Sequence, residues 1–251
     1  VVNMHLSDTL GGYDFYDETH SKVLEKPRFV NQGKVTSDTL SNSNATILEI
    51  NSKSGVYPLY VAYSIFKTIV GDKEKDMTVE EQYKVWNKVI TENVFVLCKT
   101  KMAKYITQRT LAGFSSIKCR ARYQPHLIEN MKDDPDWVVK KLKNPTNWEM
   151  EGEERMKFDA IVGNPPYQMS DGGAQASATP VYNLFVNVSK KLNANYISMI
   201  MPSRWMTGGK GLDKFRDDMI HDKHFLVLHD YTNSKNVFPS VDIKGGICYF
   251  L

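Results

Sequence analysis

The sequence predicts an α/β protein: a mostly parallel seven-stranded sheet with helices on both faces. Short runs of β-branched and apolar residues alternate with helix-length amphipathic stretches along most of the 251 residues. Strands alternating with helices over this length imply a sheet covered on both faces. The composition, 41% hydrophobic and 24% charged, is that of an ordinary globular chain.

Residues 1–45 are mixed and polar, punctuated by Gly11-Gly12 and Lys26-Pro27, and show no long period. They are expected to be an N-terminal lead-in segment lying over a domain that spans 46–251. Thr46 to Ile50 is the first strand, and Asn51 to Gly55 a loop of turn residues. An apolar helix then runs to about Val70, with Pro58 tolerated in its first turn. After a charged break, Thr78-Val79-Glu80-Glu81 has the pattern of a capping box, and its helix carries Trp86, Val89 and Ile90.

Asn93 to Leu97 is the second strand, Lys101 to Leu111 a helix, and Ser116 to Cys119 a weak third strand. Residues 129–157 are charged and broken by Pro135 and Pro145, and are expected as a surface excursion. Phe158 to Val162 is the fourth strand. The loop Met169 to Ala178, rich in Gly, Ser and Ala, is expected to be mobile. Thr179-Pro180 has the cap-then-proline pattern of a helix start, and Val181, Leu184, Phe185, Val188 and Leu192 form the stripe behind it. Tyr196 to Met201 is the fifth strand, Gly211 to His221 a helix, Phe225 to Leu228 the sixth strand and Gly246 to Leu251 the seventh.

A net charge of +3 tolerates nucleic acid without demanding it. A DNA enzyme would need its positive charge gathered locally or carried on another segment. Cys98, Cys119 and Cys248 are odd in number and lack metal-ligand spacing, so a reduced, cytoplasmic setting is expected. His221 and His224 lie one helical turn apart with no third ligand nearby, and no metal site is expected. No apolar run reaches transmembrane length and no signal peptide opens the chain. Val1 at one end and a strand-like run at the other suggest a piece of a longer polypeptide.

The most informative feature is Asn164-Pro165-Pro166-Tyr167, which directly follows the fourth strand. Each proline fixes its φ near −65° and removes an N–H, and each pushes the residue before it toward an extended shape. The result is a stiff turn whose carbonyls have few local donors. Asn164 adds a side-chain carbonyl and Tyr167 a flat ring, a wall suited to a planar amino group with two hydrogens and a π-face. An adenine has both, and so does an amide side chain. In open α/β sheets, ligands bind beyond the carboxyl ends of strands, where this turn belongs.

The loop after the first strand is a second candidate. Glu49 ends the strand and Gly55 lies six residues on, where α/β folds seat a nucleotide-like cofactor. It is neither a GxGxxG fingerprint nor a P-loop, and Gly208-Gly209-Lys210-Gly211 reads as a loop leading into a helix.

On these residues the chain resembles the N6-adenine DNA methyltransferases of restriction–modification systems, in particular the methylase regions of large fused proteins. Ile47 to Gly55 resembles the family's cofactor loop, and Phe158 to Gln168 its catalytic motif. Val237-Phe238-Pro239 with Gly245 to Phe250 resembles the late motif whose aromatic packs on the extruded base. Ile200 to Trp205 resembles a strand end of the same family, and Arg204 there suits a structural or phosphate-facing role. The likeness covers roughly residues 28–251. The order, cofactor loop before catalytic motif, is that of the gamma class, whose target-recognition region follows the catalytic domain and would lie beyond this chain.

The resemblance implies a Rossmann-like fold using S-adenosylmethionine. It implies Asn164, Pro165, Pro166 and Tyr167 as catalytic residues, and Tyr167 and Phe238 as base-stacking residues. Glu49, Asn51, Ser54, Gly55 and Asn164 would contact the cofactor. The implied partners are double-stranded DNA and fused or associated target-recognition and endonuclease domains.

The sequence departs from the family in two places. No carboxylate stands at Leu97-Cys98-Lys99, where one for the cofactor ribose is expected, and none near Gln124-Pro125-His126, where one for its adenine is expected. Two other readings stay open. Glutamine methyltransferases acting on proteins share the Asn-Pro-Pro-Tyr turn, and a degenerate domain could position DNA without catalysis.

Overall fold

The computed structural model describes residues 1–152, 154–169 and 179–251. The chain opens with helix α1 (Val2–Thr9), a hairpin of β1 (Gly12–Tyr16) and β2 (Val23–Val30), and the short α2 (Lys34–Asp38). Next come β3 (Ile47–Ser52), α3 (Val56–Val70), α4 (Val79–Glu92), β4 (Val94–Cys98), α5 (Lys101–Ala112) and β5 (Arg120–Tyr123). Helices α6 (Leu127–Asp133) and α7 (Pro135–Leu142) lead to β6 (Ala160–Gly163) and a two-residue ribbon, β7 (Gln168–Met169) with β8 (Thr179–Pro180). The chain continues through α8 (Tyr182–Leu192), β9 (Tyr196–Pro202), α9 (Asp213–Ile220), β10 (Leu228–Tyr231) and β11 (Ile247–Phe250).

Seven strands form one sheet in the order β10-β11-β9-β6-β3-β4-β5. β11 runs antiparallel to both neighbours, and the other pairings are parallel. After β3 the chain winds outward through β4 and β5, then returns to place β6 on the other side of β3. The β3–β6 junction is therefore the topological switch point, where open α/β sheets take their ligands.

Both faces of the sheet are buried, with side chains alternating between them. Val94, Val96 and Cys98 of β4 join one core, whereas Phe95 and Leu97 join the other. The first core is closed by α1, α3, α4 and α5. The second takes in Met131, Val138, Leu142 and Trp148 from the charged stretch expected as an excursion, together with α8 and α9. Trp148 is fully buried and meets Phe95 edge-on, with centroids 5.2 Å apart. In the stretch expected to lie over the domain, Leu6 and Leu10 are fully buried in the first core.

Each of the seven expected strands has a counterpart, and the largest shifts are at the first, third and sixth strands and at one helix start. The first strand runs on to Ser52, so Glu49 lies inside it and Asn51 and Ser52 belong to the strand, not to the loop. The third strand lies at 120–123, not 116–119. Its sequence Arg-Ala-Arg-Tyr hides the strand because the two guanidinium groups turn to carbonyls: Arg120 donates to Thr91 and Trp148, and Arg122 to Asn147. The sixth strand begins at Leu228, because Leu226 and Val227 both donate to the Leu251 carbonyl beyond the ladder. Thr179-Pro180 does not start a helix. It pairs with Gln168–Met169, and α8 begins at Tyr182. The expectation of mobility at 169–178 falls, for Ser170 to Ala178, outside the described residues. The Thr78 capping box is present with both of its bonds. Among the described residues no helix is long and apolar enough to cross a membrane.

Candidate active site

Strand β6 delivers the tetrapeptide. Ala160, Ile161, Val162 and Gly163 are all buried, and Gly163 sits where an added Cβ would come within 3.2 Å of Ile50 Cγ2 on β3. That close approach brings the ends of β3 and β6 together. Asn51 closes the junction: its Nδ2 donates to the backbone carbonyl of Asn164 at 3.0 Å. The expected cofactor loop and catalytic turn thus form one structure at the switch point.

At the head of the turn, Asn164 Oδ1 is buried and accepts no hydrogen bond from any described residue. A buried acceptor without a donor is costly, on the order of 1–3 kcal/mol. Asn51 takes up one lone pair of the Asn164 backbone carbonyl, whereas the side-chain oxygen beside it is left without a donor among the described residues. Pro165 is buried and Pro166 half-buried. The Tyr167 ring packs partly into the first core, and its hydroxyl is likewise buried and unpartnered. Burial pushes the Tyr167 phenol well above its ordinary range, so it stays protonated.

Phe238 follows a 3-10 turn, Ser234–Asn236, and its N–H donates to the Ser234 carbonyl at 2.7 Å. Ser234 Oγ fastens the same loop by donating to the Val241 carbonyl and accepting from the Ile243 N–H. Phe238 is half-buried against the core cluster that also takes Tyr167. Arg204 lies exposed in the 3-10 turn after β9.

On the β3 side, Glu49 is 4% exposed and its Oε2 has no partner among the described residues. Burial pushes the Glu49 carboxyl up to about 8, against the opposing influence of Ser52 and Lys53. Ser52 Oγ accepts from the Gly55 N–H at 3.1 Å and contacts Thr107 Oγ1 at 2.9 Å. Ser54 is exposed, and its carbonyl accepts from Thr110 Oγ1 at 2.7 Å. Gly55 has φ +79°, and a Cβ there would lie 2.9 Å from Thr110 Cβ and 3.0 Å from the Thr107 Cα. The loop is therefore moulded onto α5 and admits no side chain at its last position.

A cavity of about 290 Å³ opens between these parts. Asn51, Ser52 and Thr100 give it polar groups, and Met102, Ile106 and Pro166 give it apolar walls. It lies at the small end of the range for small-molecule sites, ~300–1,000 Å³. Lys53 and Lys99 stand at its edge, and no carboxylate lines it. At the other position where an acid is expected, Gln124 donates through its N–H to the Cys98 carbonyl. A larger concavity, about 620 Å³, lies at the opposite end of the sheet beside Tyr196 and Leu251, away from the tetrapeptide.

The structure adds a buried relay behind the site. Tyr57, in the first turn of α3, bonds His5 Nδ1 at 2.8 Å, and His5 Nε2 bonds Ser198 Oγ at 2.8 Å. Burial, with Tyr167 and Glu49 near it, raises the Tyr57 phenol well above its ordinary range. Burial also lowers the His5 imidazole to about 3, so His5 is neutral. No local signal links positions 5, 57 and 198. Among the described residues no group of three His, Cys, Asp or Glu is placed to hold a metal.

Comparison with known proteins supplies the context. A family model described as Eco57I restriction-modification methylase matches residues 92–238. An uncharacterized adenine-specific methylase of Mycoplasma pneumoniae is 38% identical over 99 residues, which are 38% of this chain and 24% of the relative. The match thus spans about a quarter of that relative's length. A structure from a study of the assembly of a type I restriction–modification system superposes with TM-score 0.53 at 12% identity, covering 84% of this chain and 39% of that one. The ATP-dependent Type ISP restriction-modification enzyme LlaBIII bound to DNA gives TM-score 0.53 at 12% identity, covering 86% and 17%. At these identities the likeness is one of fold.

Proposed function

The chain belongs to the Eco57I restriction-modification methylase family, and from that premise we propose that it methylates the exocyclic N6 amino group of an adenine extruded from double-stranded DNA. S-adenosylmethionine is the proposed methyl donor. The observation that carries this reading is Asn164 Oδ1, buried and without a partner among the described residues, at the head of a rigid turn that Asn51 ties to the end of β3.

The site fits the cofactor in kind. The cavity offers apolar walls for a flat base and polar groups from Asn51, Ser52 and Thr100. Behind the cavity lining, two residues from Asn51 on β3, Glu49 keeps one buried oxygen without a partner among the described residues, an acceptor that suits the cofactor's ammonium group. Gly55 lets the backbone approach closely. When bound, the cofactor supplies an electrophilic sulfonium methyl group.

The residues of the chain do the rest. Extruding a base costs a few kcal/mol. Stacking on Tyr167 and Phe238 offsets this, at about 1–3 kcal/mol per base. Asn164 Oδ1 and the Pro165 carbonyl accept the two amino hydrogens, drawing the nitrogen toward tetrahedral geometry and freeing its lone pair. So oriented, the amino nitrogen would take the methyl group that the cofactor supplies and shed its extra proton to water afterwards. No general base is required. The turn contributes orientation and fixed acceptors that need no rearrangement as the reaction proceeds.

Target recognition and cleavage are assigned to fused or associated domains, consistent with the multi-part restriction enzymes among the structural neighbours. A reducing, cytoplasmic setting suits the three buried free cysteines.

Transfer of labelled methyl from S-adenosylmethionine to DNA tests the assignment. Asn164→Ala removes one acceptor and is expected to lower turnover by at least ~100-fold, the scale of losing one preorganised polar contact, while the fold survives. Near-normal transfer by that variant contradicts the role given to Asn164.

A further inference from the structure

Positive charge in this chain is segregated. The whole chain carries +3, but Asn93 to Ile128 contains four lysines, three arginines and no acidic residue, which leaves −4 for the remainder. Arg120 and Arg122 are committed to backbone carbonyls, and Arg122 also pairs with Glu149. By contrast Lys99, Lys101 and Lys104, at the amino end of α5, form no ion pair with any described residue, and neither does Lys53 across the cavity mouth.

The placement works against folding. Lysines at the start of a helix oppose the macrodipole, and the first turn of α5 contains no acid to offset them. Helix α4 does the opposite, with Glu80 and Glu81 in its first turn. Lys53 and Lys99 also stand close enough to repel: Lys99 adds to the burial that lowers the Lys53 ammonium. Exposed Met102 and Tyr105 sit among these cations. Lys53 and Lys99 line the cavity, and Lys101 and Lys104 follow in the first turn of α5. Unpaired like charges gathered this closely in the chain, at a local cost in stability, mark a surface that meets an anion.

We infer that Lys53, Lys99, Lys101 and Lys104 form a phosphate-binding rim that grips the DNA backbone flanking the extruded base. The inference rests on the proposed reaction and adds the surface on which the duplex lies. The occupant is DNA because the rim is cationic, multiple and interleaved with exposed Met102 and Tyr105, and because two of its members, Lys53 and Lys99, line a cavity with Pro166 of the tetrapeptide. A duplex offers phosphates in series, which four separate lysines can meet and a single carboxylate cannot.

The test is the salt dependence of duplex binding by the purified protein, comparing the unmodified chain with Lys101→Ala/Lys104→Ala. Each lost phosphate contact lowers the slope of log K against log salt by ~0.9, so the slope is expected to fall by about 2 while calorimetric affinity for S-adenosylmethionine holds within about twofold. A single Lys101→Glu variant guards against misfolding. It should melt no lower than the unmodified protein, because an acid there suits the helix dipole, and yet bind DNA more weakly. An unchanged slope overturns the rim. If the slope is unchanged and cofactor affinity falls, the lysines serve the cofactor carboxylate instead. In either case methyl transfer to DNA by the unmodified protein leaves the reaction itself standing. Absence of any DNA binding by the unmodified protein overturns both.

Discussion

A carboxyl group buried with one oxygen unpartnered destabilises the state that buries it, and Glu49 is such a group among the described residues. Folded, it holds its proton up to about pH 8, whereas its ordinary value is 4.5. Between those values the unfolded chain binds fewer protons than the folded one, so stability falls as pH rises from about 4.5 to 8 and the full penalty stands above that. A shift of this size corresponds to a few kcal/mol, on the order of 1.4 per pKa unit. Glu49→Gln is therefore expected to melt near the unmodified protein at pH 4.5 and increasingly above it toward pH 8.5, in the absence of ligand. A melting difference independent of pH would show that Glu49 is not held neutral. The penalty falls inside β3, where Glu49 pairs with Val162 two residues before the tetrapeptide, and under the proposed function it is the cost of keeping a carboxyl for the cofactor. Residue chemistry of this kind was only half legible in the sequence. Glu49 and Asn164 could be singled out by type and spacing, but the lack of a partner for each atom depends on neighbours distant in the chain.

At the scale of elements, the loop between β3 and α3 is shaped by its contact with α5. Gly55 has a positive φ and no room for a Cβ against Thr107 and Thr110. Gly55→Ala forces either an unfavourable backbone angle or a shift of α5, at a cost of ~1–3 kcal/mol. It should lower the melting temperature and weaken binding of S-adenosylmethionine together. Loss of stability with cofactor affinity intact would separate the loop from the ligand. The elements easiest to read in the sequence were those with apolar runs or explicit punctuation, such as β3, β4, β6 and the capped start of α4. β5 was displaced because its arginines bond to carbonyls contributed by residues 91 and 147–149. Helix α1 and the β1–β2 hairpin showed no long period. His5, Ser7 and Thr9 are fully buried polar residues held by specific hydrogen bonds, not by an apolar stripe.

For the whole molecule, the winding order of the sheet does most of the positioning. Because the chain leaves β3 on one side and returns on the other, the tips of β3 and β6 come together at the switch point. Asn51 of one then reaches Asn164 of the other across 113 positions of sequence. The seven-strand α/β plan was legible from the alternation of strand and helix patterns. The tie between Asn51 and the turn, and the His5–Tyr57–Ser198 relay that anchors the N-terminal helix behind it, were not, because each joins residues with no local relation. The central claim is that this junction presents oxygen acceptors to an adenine amino group, and nucleoside analysis of DNA incubated with the protein and S-adenosylmethionine tests it most directly. The account predicts that N6-methyladenine appears and that it is lost with Asn164→Ala. Methyl groups found on cytosine or on a protein glutamine would contradict it, as would N6-methyladenine formed undiminished by the variant.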